Sequence, residues 1–410
     1  MVTAIDNSVS KAGTDTISAY HWLLFGLCFS ANIMGGTAST LMSVYLPVLV
    51  RDLLSTVGGE ELSQVSAYIS ALYFVGWAIG GLCMGVIGDR IGRVRSLVLS
   101  ICTFGLFTFL ISFASSWEMT LVFRFFCGFG VGGMMVINTT LLSEVWPVKT
   151  RAVFIGILSI GFPVGIFSSG AVNYLVSSWR DGFKMGVLPL CIGFIAIWVL
   201  KESEMWKVSR SNPNERKIKE NLREYRKDLI NGSIIYGSML IGLWAIFSWV
   251  PTWVQSLLTD SDGQNERGLS MMLLGAGGLS GGFVSGWVSN ALGTRRSMLL
   301  CFSGCFILSV LLFKLNTTFS VATIVEIAML SFMFGISQGL LGVYIPQLFP
   351  VSIRAMATGF CFNVGRFVTA AAVFFVGVLV VTFGGYGNSL FVFSLIFLVG
   401  FTFLFYSKKI

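Results

Sequence analysis

Charge is scarce in this sequence. Only 11% of its 410 residues are charged while 55% are hydrophobic, against roughly 25% and 45–50% in soluble domains, which excludes a chain that mostly faces water. Histidine is nearly absent: His21 stands alone ahead of the first apolar run, so no histidine-based metal centre is expected. The eight cysteines (28, 83, 102, 127, 191, 301, 305 and 361) contain no C-x-x-C pair and all fall within apolar runs, which reads as packing. No G-x-x-x-x-G-K-[ST] phosphate loop, hydrolytic triad or metal constellation occurs, so neither covalent chemistry nor a bound cofactor is expected. The alternation of a transmembrane β-barrel is missing as well.

What is present is apolar length. Runs of about 20 residues, each long enough as a helix to cross roughly 30 Å of hydrocarbon, begin near Tyr20, Ser66, Leu97, Met119, Ala152 and Lys184, and again near Ile230, Leu269, Ser297, Phe319, Ala355 and Asn388. The net charge of +8 is spread over the short segments between them, which argues for membrane topology and against nucleic acid. Alternate segments hold most of the basic residues, including Lys11, Arg90, Arg93, Arg95, Lys149, Arg151, Arg295, Arg296, Arg354, Lys408 and Lys409; the others hold only Arg51, Arg180, Lys184, Arg267 and Lys314. The bias puts both termini in the cytoplasm of a multi-pass protein of the plasma membrane, the inner membrane in a bacterium. The segment before the first run carries Asp6 and Asp15 and lacks the basic start of a cleaved signal peptide. Lys201 to Leu229 is the one long polar break. It divides an N-terminal unit, 1–200, from a C-terminal unit, 230–410, and the spacing of Glu220, Glu224 and Lys227 reads as a solvated tethering helix or a regulatory docking surface.

The two units share motifs. Gly85-x-x-Gly88-Asp89-Arg90-x-Gly92-Arg93-x-Arg95-Ser96 is echoed, about 200 residues on, by Gly286-x-x-Ser289-Asn290-x-x-Gly293-x-Arg295-Arg296-Ser297. Glu144-x-x-Pro147-x-x-x-Arg151 is echoed by Gln347-x-x-Pro350-x-x-x-Arg354. Gly76, Gly80, Gly81 and Gly85 recur as Gly278, Gly282 and Gly286, small-residue faces for static packing or for surfaces that slide. Asn290 and Gln347 replace Asp89 and Glu144, so charge pairing in the second copy is expected to be weaker.

The Gly85-to-Arg95 signature closely resembles that of the major facilitator superfamily. Arg124-x-x-x-Gly128-x-Gly130-x-Gly132-Gly133 resembles its fourth-helix motif, and Glu144, Arg151 and Lys201-Glu202-Ser203-Glu204-x-Trp206 are similar to its sugar-porter-like branch. Trp249-x-Pro251-x-Trp253 and Asn363-x-Gly365-Arg366 look most like bacterial organic-acid and metabolite symporters, including the aromatic-acid group. The resemblance implies an all-α membrane protein of twelve transmembrane helices in two six-helix pseudo-repeat bundles around a central cavity that opens alternately to each side. Asp89 is then expected to pair with an arginine or a helix amino end as a gate latch, with Gly85, Arg90, Gly92, Arg93, Glu144, Arg151, Glu202, Asn290 and Arg354 as its company, or else these residues merely set topology.

Three ionisable residues fall inside the apolar runs: Arg124, Glu326 and Arg366. A charge stranded in hydrocarbon costs at least about 2.5–3.5 kcal/mol, so each is expected to face the bundle interior or a wet cavity. Arg366 lies near mid-membrane, where a guanidinium clamps a carboxylate through two parallel hydrogen bonds. Glu326 is either a fixed partner of Arg124 or Arg366, a proton carrier, or a substrate contact. The aromatic-acid symporters carry an acidic pair in helix 1, whereas the matching stretch here, from Ala31 to Ala38, has no acid, so either Glu326 takes over coupling or the protein is uncoupled. Asn32, Gln338, Asn363, Tyr236 and Trp249 complete the candidate substrate contacts, with packing the competing role of each. The expected partners are a small carboxylate or acidic sugar, the proton and the bilayer, with a monomeric chain taking substrate inward. The rivals are a carrier of neutral sugars or polyols, which requires Arg366 to be paired internally, and a membrane sensor that binds without transport. A pump driven by ATP and a channel are both disfavoured.

Overall fold

The computed structural model describes residues 17–54, 59–211, 225–258, 263–349 and 354–407. Among these, 12 helices are long and apolar enough to cross a membrane. They are α1 (Ala19–Leu53), α2 (Gly59–Ile91), α3 (Arg93–Ile111), α4 (Trp117–Val145), α5 (Val148–Leu175), α6 (Trp179–Val199), α7 (Arg226–Ser256), α8 (Gln264–Leu292), α9 (Thr294–Leu315), α10 (Val321–Gln347), α11 (Arg354–Thr382) and α12 (Tyr386–Tyr406). Helices are the natural form, because hydrocarbon offers no partner for backbone N–H and C=O groups and a helix satisfies them within the segment. Starts follow local chemistry: the Ser116 hydroxyl accepts from the Met119 amide at the head of α4, and Ser320 with Thr323 boxes the start of α10. An even number of spans puts the described ends on one side, called here the terminal face; the other is the distal face.

The duplication seen in the motifs is repeated in the packing. In the first half α2 packs on α4, α1 on α5 and α3 on α4; in the second α8 packs on α10, α7 on α11 and α9 on α10. Glycine permits the closest of these approaches. A Cβ at Gly76 or Gly80 would run into the Phe125 and Phe129 carbonyls of α4, and one at Gly128 or Gly132 into the Tyr73 and Trp77 carbonyls of α2. The glycine face thus divides: Gly76 and Gly80 are locked against a neighbour of their own half, while a Cβ at Gly85 would touch only Val136 at 3.9 Å, one at Gly286 would meet nothing within 4 Å, and one at Gly278 would lie between Ser331 of its own half and Pro163 of the other.

The halves meet along α5–α8 and α2–α11. Described contacts across the seam lie at mid-depth or toward the distal face. Gly170 and Gly268 approach backbone to backbone, Gln264 Nε2 donates to the Asn173 carbonyl at 2.7 Å, Tyr68 stacks on Phe374 with centroids 5.6 Å apart, and the Ser63 and Tyr386 hydroxyls bond at 3.2 Å. At mid-depth Trp244 of α7 meets Phe74, Trp77 and Phe162 of the first half, at 5.3, 5.2 and 6.0 Å and interplanar angles of 63°, 75° and 87°. The distal route is closed by this seam. On the terminal face α2 and α4 leave a cleft of about 330 Å³ lined by Gly81, Gly85, Asp89, Arg93, Val136 and Thr140. The tethering helix expected over Glu220 to Lys227 lies largely outside the described residues, next to a short helix, Glu204–Ser211.

Candidate transport pathway and gate

The gate residues converge around Arg93. Its Nη1 binds Asp89 at 2.7 Å and its Nε binds Glu144 at 3.0 Å, tying the end of α2 to the end of α4 through the first residue of α3. Glu202 completes the knot from the other end of the half: its carboxylate accepts the amides of Arg93 at 2.7 Å and Val94 at 3.2 Å, the unsatisfied donors of a helix start. Trp206 then closes onto the Asp89 carbonyl with its indole N–H at 3.0 Å. Gly92 makes the turn possible. Its φ of 113° disfavours any side chain, and a Cβ there would collide with the Glu202 carboxylate. Asp89 itself is still half exposed and bridges no residue of the second half among the described residues.

The second copy is built differently, as its lost acids imply. Gly293 keeps the positive φ, 81°, but the loop is held by hydroxyls, Ser289 to Thr294 at 2.9 Å and Ser297 to the Val288 carbonyl at 3.1 Å, and Arg295 caps the α12 carbonyls of Leu404 and Phe405. Asn290 is exposed, as is Arg90 on the first copy. Arg151 donates to the Trp146 carbonyl at 3.2 Å and so caps α4 instead of joining the Arg93 cluster. Arg354 begins α11, and its side chain lies outside what the structure describes. The two copies separate in a test of stability. Gly92→Ala adds a collision to backbone strain worth about 1–3 kcal/mol, whereas Gly293→Ala adds strain alone, because nothing lies within 4 Å of its Cβ. Thermal unfolding in detergent is therefore expected to show the larger loss for Gly92→Ala.

The intramembrane charges fall into different settings. Arg124 is buried and occupied: it donates to the Ala38 and Ser39 carbonyls of α1 at 3.0 and 3.2 Å and lies 4.0 Å over the Tyr73 ring. That geometry ties α1, α2 and α4 together and leaves little of the guanidinium for substrate. Glu326 lies where its place in the apolar run predicts, near the distal start of α10. It sits five residues into α10 from its distal end, half-buried, and accepts a 2.6 Å hydrogen bond from Asn316, whose amide also caps the α9 carbonyls of Leu311 and Leu312. It pairs with neither Arg124 nor Arg366; a short loop that needs an acceptor has claimed the carboxylate.

Arg366 has no acidic partner among the described residues. It shares the inward stripe of α11 with the buried residues Thr369, Ala370 and Val373, while Phe367 and Val368 face outward. Its Nη1 reaches only the Asn363 amide oxygen, at 3.3 Å, and no carboxylate approaches it among the described residues. Asn363 in turn bonds the Gly359 carbonyl of its own helix at 2.9 Å. Tyr236 of α7 is close by, stacked on Phe362 with centroids 4.2 Å apart, where Gly237 and Gly365 let α7 and α11 touch. The Gln338 amide nitrogen of α10 is buried without a hydrogen-bond partner. Arg366 and Tyr236 thus share the contact between α7 and α11, and Gln338 stands apart on α10.

Asn32 and Trp249 do not join them. Asn32 donates to the Leu158 carbonyl at 2.8 Å and accepts from Asn138 at 3.3 Å, and Asn138 also holds the Cys28 carbonyl at 2.8 Å, so the pair binds α1, α4 and α5 into one body. Asn138 carries the same signal as Asn32, a lone amide in an apolar helix. Trp249 is fully buried against Tyr386 at 5.7 Å in the distal part of the second half, because α7 turns that face toward α12.

Two helical halves with matching internal packing, joined by a seam closed at one face, define a membrane transporter. The family model of the Major Facilitator Superfamily matches residues 27–372, and the chain belongs to that superfamily. It is similar to the probable 4-methylmuconolactone transporter of Cupriavidus pinatubonensis, 29% identical over 385 residues covering 90% of this chain and 85% of that one. It is also similar to the cis,cis-muconate transport protein of Acinetobacter baylyi, 27% identical with 88% and 89% covered, and to the gallate transporter of Pseudomonas putida, 27% identical with 86% and 84% covered. Among solved structures, a D-xylose–proton symporter shares the fold at a TM-score of 0.79 with 15% identity, covering 95% of this chain and 98% of that one. The inward-open xylose transporter XylE from E. coli shares it at 0.76 with 14% identity, covering 95% and 96%.

Proposed function

We propose that this protein carries a small organic carboxylate into the cell by alternating access, coupled to protons, in the inner membrane of a bacterium with both termini cytoplasmic. One observation carries the substrate class. Arg366 sits near mid-membrane on an inward helix stripe with no acid beside it among the described residues. A guanidinium in that setting calls for an anion, and the substrate supplies it. The neutral-sugar reading needs that charge to be neutralised from within, and no described residue does so. The names of the similar transporters, for muconate and gallate, point to carboxylates as well. On this topology the open cleft faces the cytoplasm, and Asp89, Arg93, Glu144 and Glu202 are the gate residues poised for the opposite state.

Uptake of labelled benzoate and cis,cis-muconate into proteoliposomes, with and without an inward proton gradient, tests the proposal. Gradient-driven accumulation of one of them is expected; transport of xylose alone would overturn it. Glu326→Gln keeps an acceptor for Asn316 and is expected to preserve accumulation to within about twofold, the size of one weakened hydrogen bond. Accumulation lost in that variant while exchange survives would return Glu326 to the proton route.

A further inference from the structure

Resting on the carboxylate reading above, we propose that Trp244 is a specificity-determining residue: it supplies the aromatic wall against which the substrate's body lies, so the site selects planar, conjugated carboxylates over saturated ones of equal size.

Position comes first. Gly237 and Gly365 fix the register of α7 against α11, and Trp244 lies seven residues beyond Gly237, about 10 Å farther from the terminal face. Arg366 follows Gly365 directly. The register of α2 sets the near edge of the cluster. Tyr68 stacks on Phe374, and nine residues along α2 or eight back along α11, roughly 13 and 12 Å of rise, bring Trp77 to the depth of Arg366, so the rings span from that depth to Trp244 about 10 Å beyond it. A one-ring carboxylate bound to Arg366 from the terminal side therefore points its ring at the cluster formed by Trp244 with Phe74, Trp77 and Phe162.

Chemistry comes second. The Trp244 ring meets these three rings, and Phe247 of its own helix, edge to face at 63–87°, the arrangement that aromatic quadrupoles favour. Trp244, Phe74, Trp77 and Phe162 are buried but not sealed, at 6–9% exposed. The Trp244 indole N–H has no hydrogen-bond partner among the described residues. A planar ring entering from below extends the same edge-to-face pattern, and each such contact is worth a factor of roughly 2 to 12 in affinity beyond the area it buries. A saturated ring buries similar area and gains none of it. Trp244 comes from the second half, the half that also carries Arg366, so its ring and the anion anchor move together while the first half swings.

The test compares benzoate with cyclohexanecarboxylate, measured by calorimetry on the purified full chain in detergent. Wild type is expected to prefer benzoate by about tenfold. Trp244→Leu should bring the ratio to about one by weakening benzoate alone, with cyclohexanecarboxylate within threefold of wild type; Trp244→Phe, which keeps an aromatic face, should retain most of the preference. An unaltered ratio in Trp244→Leu overturns the assignment, as does an equal affinity of wild type for the two acids, and both results leave the anion reading standing. Failure of wild type to bind either acid sinks the anion reading and this proposal together. Loss of folding in Trp244→Leu, seen by size exclusion, shifts the decision to Trp244→Phe, for which a ratio of about one overturns the proposal.

Discussion

Arg366→Lys is expected to raise the dissociation constant for the transported carboxylate by about 10- to 150-fold, with the protein still folded and still able to change state. Lysine keeps the charge and loses the fork. A guanidinium presents two parallel N–H donors to the two oxygens of a carboxylate, while an ammonium offers a point charge that hydrates strongly and bonds one oxygen well. Losing one charge-assisted hydrogen bond costs about 1.5–3 kcal/mol, which is the stated range. Folding should survive because Arg366 bonds only Asn363, at 3.3 Å, and holds no second helix in place. Arg124→Lys provides the contrast. Arg124 grips the Ala38 and Ser39 carbonyls and covers Tyr73, so its replacement is expected to lower stability before it changes affinity. Calorimetric titration beside a thermal melt separates the two, and an unchanged affinity in Arg366→Lys would remove Arg366 from the anion site.

The architecture was largely legible in the sequence, for a physical reason. Membrane spans must be long, apolar and helical, so composition alone points to Ala19–Leu53 and its successors, and a duplicated loop must bring duplicated packing with it. The charge cluster was legible as well, since Asp89, Arg93, Glu144 and Glu202 have few other ways to satisfy four charges at one membrane edge. Individual helix faces were not. Glu326 and Arg366 look alike as charges within apolar runs, yet one is claimed by the turn at Asn316 and the other meets no opposite charge among the described residues, and that difference depends on a loop whose shape the apolar pattern does not encode. Trp244 and Trp249 lie five residues apart on α7, which rotates them onto different faces: one toward the first half, the other against Tyr386. Periodicity identifies faces but not which neighbour each will meet.

Gly170→Leu is expected to abolish net uptake, by about 100-fold or more, while leaving substrate able to bind from the distal side. In the closed seam a Cβ on Gly170 would stand 2.5 Å from the Gly268 carbonyl oxygen and 2.6 Å from the Met272 amide nitrogen of α8, and a Cβ on Gly268 would stand 2.9 Å from the Gly170 carbonyl oxygen. These are backbone atoms of two long helices, so neither side yields without parting the helices. Forcing even one methylene into packed structure costs about 1–3 kcal/mol, and a whole leucine between two backbones costs at least the upper figure. At 3 kcal/mol the closed-seam state falls about 160-fold relative to the alternative, enough to leave the transporter open toward the distal face. Gly26→Leu is the control: Gly26 is on α1 with nothing within 4 Å of its Cβ, and uptake should stay near wild type. Spin-label distances between the distal ends of α5 and α8 should lengthen in Gly170→Leu and stay unchanged in Gly26→Leu. Normal uptake by Gly170→Leu would mean that this seam need not close during transport, and with it would go the assignment of α5 and α8 as the distal gate.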